Sequence, residues 1–234
     1  MLVNSSLFLL LALGTVFSTL AAPLFQTSGP PCNAFQLKGT IQIVDYPDRS
    51  NVLGLISQGT NPYGGYATTQ ISSDALHVKL LPGCDPADPF EILILASRWE
   101  DVFADLPLFG AVVGLDSTSD DITTDSANHA YVAGTFFVPR GPAHFAFNTY
   151  TEATGREVDV QSAIWTLPNS LAVNTPIALV PSWVNTNGSV ASDVSLVYVP
   201  SADGLVLTGN VDDFAAQFGS DVQVVTFEFI PDDL

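Results

Sequence analysis

Leu37-Lys38-Gly39-Thr40-Ile41-Gln42-Ile43-Val44 puts Leu37, Ile41 and Ile43 on one side of an extended chain and polar side chains on the other. That period of two is the signature of a half-buried β-strand. Phe90-Glu91-Ile92-Leu93-Ile94-Leu95 is almost continuously apolar and reads as a central strand covered on both faces. Further strands are expected near 52–57, 65–70, 75–81, 111–115, 130–137, 143–149, 161–167, 176–180 and 222–230. Clusters of Gly, Pro, Asn, Asp and Ser separate them and supply the backbone angles of turns.

Two hairpins follow from the same logic. Asn187-Gly188 lies between Trp183–Thr186 and Ser189-Val190, and Asp203-Gly204 lies between Val194–Val199 and Leu205–Thr208. Both pairs suit a turn with positive φ, of type I′ at Asn187-Gly188. Asn210, Asp212, Asp213, Phe214, Phe218 and Gly219 together describe one short capped helix. The expected fold is all-β, a two-sheet antiparallel sandwich of jelly-roll type with at most one or two short helices. It occupies residues 22–234 as a single domain.

Residues 1–21 read as a signal peptide, because the apolar run Leu7–Val16 is too short to span a bilayer and small residues follow it. The expected destination is extracellular, with no membrane attachment once the leader is removed. Asp and Glu number 24 against 6 Lys and Arg, a formal net charge of −18. Such a surface repels phosphate backbones and anionic lipids, which argues against nucleic acid and membrane partners. With 47% hydrophobic and 13% charged residues, the chain is far from the composition of a disordered acidic tail. Relief of self-repulsion should favour the fold as carboxylates protonate in an acidic medium.

The two cysteines, Cys32 and Cys84, are an even pair in an exported chain and are expected to form one disulfide. Closing that loop would stabilise by roughly 4 kcal/mol through the unfolded chain. Asn187-Gly188-Ser189 is the one glycosylation sequon after the leader.

Reaction signatures are sparse. No Gly-x-Ser-x-Gly elbow, His-Glu-x-x-His motif or phosphate loop is present, and no cofactor is implied. His77, His129 and His144 are scattered and read as strand or loop residues. Asp116, Asp120, Asp121 and Asp125 lie in a stretch rich in hydroxyls, offering the hard oxygens that calcium takes, although their spacing departs from the EF-hand pattern. Trp99-Glu100-Asp101 sets a carboxylate beside an aromatic ring, as an acid hydrolase working with an Asp/Glu pair would need. Tyr63, Tyr66, Trp99 and Trp183 are the candidates for a flat platform on which a sugar ring stacks, whereas Trp165 alternates in phase with Ala163 and Leu167 and belongs in the core.

Tyr63-Gly64-Gly65-Tyr66, Ser162-Ala163-Ile164-Trp165, Trp183–Ser189 and the Gly209–Gly219 helix together resemble a group of small secreted fungal proteins with no assigned activity. The resemblance implies export and a β-rich domain over most of the mature chain, and carries no catalytic residue. The expected function is non-enzymatic binding of an extracellular or cell-wall carbohydrate. An acid hydrolase and a structural wall protein are the alternatives.

Overall fold

The computed structural model describes residues 36–83, 85, 87–95, 106–168, 176–219 and 221–232. The leader, Cys32, Cys84, Trp99 and Glu100 lie outside these residues, and with them the expected disulfide and the Trp99-Glu100 pairing.

Strands β1 (Leu37–Asp45), β2 (Val52–Thr60), β3 (Tyr66–Thr69), β4 (His77–Leu81) and β5 (Glu91–Ile94) are followed by β6 (Leu108–Val113), β7 (His129–Thr135) and β8 (His144–Phe145). Helix α1 (Thr149–Thr154) precedes β9 (Asp159–Gln161), β10 (Trp165–Thr166), β11 (Ile177–Pro181), β12 (Ser195–Val199) and β13 (Gly204–Thr208). Helix α2 (Val211–Phe218) leads into the last strand, β14 (Gln223–Pro231). Every strand pairing is antiparallel.

The expectation of two stacked sheets is corrected here. The order β1-β14-β12-β13-β7-β6-β5-β4 returns to β1, so the sheet closes into an eight-stranded barrel. Closure rests on β1, which pairs along one edge with β14 from Gly39↔Pro231 to Asp45↔Val225 and along the other with β4 from Leu37↔Leu80 to Thr40↔His77. A strand that bonds the first and last members of a sheet leaves no free edge, which a sandwich would keep. Across the β1–β14 seam, on the outer face, Gln42 Nε2 donates to Glu228 Oε2 at 2.8 Å and Arg49 Nη1 lies 3.6 Å from Glu228 Oε1.

The alternation read from β1 holds, with Ile41 and Ile43 fully buried. They point into a core shared with Val78, Leu80, Ile92, Phe109, Phe227 and Phe229, so the barrel centre is packed. Trp165 stacks on Phe109 at 5.4 Å and donates from Nε1 to the Phe109 carbonyl at 2.6 Å. Strands covered on both faces are β6 and β13 rather than the 90–95 segment: all of β13 and all of β6 except Val113 are buried, whereas β5 buries only Ile92. On the outside of β6 and β7, Val112, Ala133, Val138, Tyr150 and Val160 form a second, smaller cluster.

Strands leave the barrel at branch points. Beyond β4, the same edge of β1 pairs with β2, and a register shift between Ile43 and Val44 turns the β2–β3 hairpin away. Beyond β5, the same edge of β6 pairs with β9, which carries β8.

Turn chemistry differs from the expected type. At the Asn187 hairpin positive φ falls on Gly188 alone, at 82°, with Gly188 N–H donating to Asn185 O and Asn185 N–H to Ser189 O, both at 2.8 Å. This is a three-residue loop ending in a glycine bulge, not a type I′ turn. At the second hairpin the left-handed residue is Asp203 (φ 44°), not Gly204. It is held there because its Oδ1 accepts from Thr68 N–H, Thr68 Oγ1 and Tyr198 OH at 3.1, 2.8 and 3.2 Å.

The 143–149 segment is expected to be a strand, but β8 ends at Phe145, only an isolated bridge from Asn148 to Thr135 follows, and α1 begins at Thr149. Asn148 Oδ1 caps the helix by accepting from Thr151 N–H at 2.8 Å, and Gly155 ends it at φ 70°. Capping at both ends outweighs the β-preference of Thr and Tyr. Helix α2 forms where the sequence places it, capped by Asn210 and closed by Gly219. No helix among the described residues is long and apolar enough to cross a membrane.

Phe214 and Phe218 of α2 lie edge-on to His129, with ring centroids 5.1 and 4.7 Å away, and Tyr131, two residues along the same strand β7, lies 5.0 Å away. The ring also presses on Gly114, where a Cβ would come within 2.2 Å of it. Burial in this setting lowers the His129 pKa to about 4, against the upward pull of the Ala127 carbonyl and the Asp116 charge. The unfolded chain takes up this proton near 6.5 and the folded one only near 4, so the unfolded state binds more protons in between and stability falls as pH drops through that window. The loss amounts to about 3 kcal/mol, opposite in sign to the general relief of carboxylate repulsion. Urea unfolding of wild type and His129→Phe at pH 7 and pH 4 should show wild type losing about 3 kcal/mol relative to the variant; a constant difference would rule out a neutral buried His129.

Candidate functional site

A cleft of about 520 Å³ lies on the outside of the barrel, where β6 runs into the acidic loop and β9 leaves the sheet. Val113 and Gly114 form its floor. Asp116, Ser117 and Asp120 line one side, and Phe145, Tyr150 and Asp159 the other.

The acidic loop is fixed by its own polar groups. Asn128 Oδ1 accepts from Thr118 N–H at 2.9 Å, and its Nδ2 donates to Ser119 Oγ at 3.0 Å and Asp121 O at 2.9 Å. Asn185 accepts from Ile122 N–H at 2.9 Å, and Trp183 Nε1 donates to Asp120 O at 2.7 Å. Asp121 accepts from Thr186 N–H at 2.6 Å and from Thr186 Oγ1 at 3.1 Å. Much of the loop's oxygen is thus committed to the protein itself. The four aspartates offered for calcium are not brought to one point: Asp116 and Asp120 face the cleft, Asp121 is bound to Thr186, and Asp125 is exposed. Among the described residues no three His, Cys, Asp or Glu side chains converge as metal ligands.

The opposite wall is set by α1 and β9. Gly155 turns the chain out of α1 into Arg156-Glu157-Val158-Asp159, and Val160 pairs with Val112. Asp159 therefore arrives beside Asp120. The Asp120 carboxyl is pushed above its ordinary range, first by burial, then by the Asp159 charge and a hydrogen bond between the two carboxyls, and last by Asp121. Beside the Asp159 charge, Asp120 keeps its proton to higher pH than an isolated carboxyl does. Tyr150 stacks on Tyr131 at 5.8 Å, and burial, followed by the nearby Tyr150 and Asp116, raises the Tyr131 hydroxyl to about 12.

Two of the four rings expected to form an aromatic platform are buried, and Trp99 lies outside the described residues. Tyr66 is 1% exposed and packs on Phe109, and Trp183 is fully buried beneath the acidic loop. Rings buried in this way have no face left for a ligand. Tyr63 alone among the described candidates is exposed, at 57%, on the tip of the β2–β3 hairpin, whose Asn61 donates to the Ala202 and Asp203 carbonyls.

Exposed rings instead gather beside the cleft. Phe145, 54% exposed, lines it. Phe136 and Phe147 are exposed in adjoining segments, joined by the bond from Phe136 N–H to Phe147 O at 3.1 Å. Residues 126–151 contain no Asp or Glu in an otherwise acidic chain, so these rings lie in an acid-free stretch, with Arg140 its one Lys or Arg, beside a cleft lined by several carboxyls and Arg156. That acid-free aromatic run is the signal in the sequence that points to them.

No family model, curated protein or solved structure matches the chain.

Exchanging Asp159 for Asn removes the charge that helps hold the Asp120 proton. In carbon-detected NMR titration the Asp120 carboxyl of Asp159→Asn should ionise at lower pH than in wild type. Because a raised folded pKa weakens the fold above it and relieves that strain on acidification, the variant should also gain less stability as pH falls. An unchanged Asp120 titration would exclude this coupling.

Proposed function

We propose that the protein works outside the cell as a carbohydrate-binding domain, with the sugar held in the acidic cleft against Phe145. The observation that carries this reading is the presence of an exposed aromatic ring and several carboxyl groups in one cleft. A sugar ring offers apolar C–H faces to an aromatic side chain and hydroxyl donors to carboxylates, and the cleft supplies both kinds of partner. The adjoining Phe136 and Phe147 extend the apolar surface for a longer chain. Strong negative charge favours a neutral ligand over a phosphate-bearing one.

Retention on a panel of soluble and insoluble polysaccharides at pH 4–5 tests the reading. Phe145→Ala should weaken binding by about tenfold, the equivalent of about 1.4 kcal/mol. No retention on any polysaccharide would sink it.

The raised Asp120 carboxyl beside Asp159 favours a second reading, an acid hydrolase. Asp120 and Asp159 line one cleft near enough for the charge of one to hold the proton of the other. They suit a dyad in which one group takes a proton from an attacking water while the other protonates the substrate's carbonyl oxygen. Ester and peptide substrates incubated at pH 4 should then release product, and Asp159→Asn should slow release by about a hundredfold or more. Absence of turnover on both substrate classes would leave the dyad without a catalytic part.

A further inference from the structure

We infer that Asn187 is a glycan attachment site, a reading that rests on export of the chain. Its place in the fold agrees with the sequon at each point the chemistry needs. Residues 186–190 are all exposed, and Asn187 stands at the tip of a hairpin. The hairpin is held from below: Asn185 is bonded to Ile122 through both its amide oxygen and nitrogen, Thr186 is bonded to Asp121, and Val184 bridges to Val190. A bulky group on the tip therefore displaces nothing in the core.

The side-chain atoms are also divided in the right way. Asn187 Oδ1 accepts from Ser189 N–H at 2.8 Å, which turns the amide nitrogen outward. Attachment uses only that nitrogen and keeps the oxygen as acceptor, so the modified residue retains its turn. Gly188, at φ 82°, keeps the middle of the sequon without a side chain. Beside it Val190 is 61% exposed, an apolar side chain that an attached sugar would cover.

The donor is a lipid-linked oligosaccharide diphosphate. The bond formed joins Asn187 Nδ2 to the anomeric carbon of the first sugar, the bond broken joins that carbon to the diphosphate oxygen, the lipid diphosphate departs, and one amide proton is lost to a base.

The test is secretion of the full chain from a yeast host, once with its own first 21 residues and once with those replaced by an independent export leader. With the independent leader, the secreted protein should be heavier than its polypeptide mass, and an amidase specific for N-linked glycans should remove the excess. Ser189→Ala should abolish the added mass and Ser189→Thr should retain it, since a hydroxyl at the third position is what the sequon requires. Secreted protein of bare polypeptide mass overturns the proposal. Retention in the cell with its own leader alone overturns the export reading while the other arm still decides the glycan.

Discussion

Pairing of the first barrel strand with the last is the constraint on which the rest depends. Seven register positions from Gly39↔Pro231 to Asp45↔Val225 turn an open sheet into a ring, and the Gln42–Glu228 hydrogen bond crosses the same seam. Once the ring is closed, Ile41, Ile43, Phe227 and Phe229 face a common centre and bury their apolar surface together, the main favourable term in folding. The branching of β2 and β9 follows too, since β1 and β6 are each longer than the partner that the ring allots to one of their edges.

Much of this fold was legible in the sequence, and the part that was not has a definable cause. Period-two alternation finds β1 because it records which side of a strand is wet. It carries no information on which distant strand lies alongside, so a ring and a sandwich read alike from local pattern. The α1 segment is misread because Thr-Tyr-Thr favours extended structure, while the deciding signals are the cap at Asn148 and the stop at Gly155. The hairpins at Gly188 and Asp203 are found from their turn residues, yet loop length and the side chains docked on them choose the turn type.

The candidate site was less legible. Trp183 and Tyr66 are attractive as exposed rings only while the acidic loop and Phe109 are not placed over or against them. Conversely, Asp120 and Asp159 lie in segments with no sequence relation, and β9 pairing with β6 alone brings them together. Phe136, Phe145 and Phe147 read as ordinary strand positions until the β8–β9 ribbon is seen to lie off the barrel, and all three rings are exposed.

The seam also sets the order of events while the chain is being made. Lys38 O accepts from Asp232 N–H at 3.0 Å, so the beginning and end of the barrel meet at a single place. Until residues 223–231 leave the ribosome, β1 has an unpaired edge along its whole length, and nearly all the other strands wait beside it. A nascent chain of this design spends most of its synthesis with an open sheet, the interval in which edge-to-edge association with other chains is easiest and holding factors matter most.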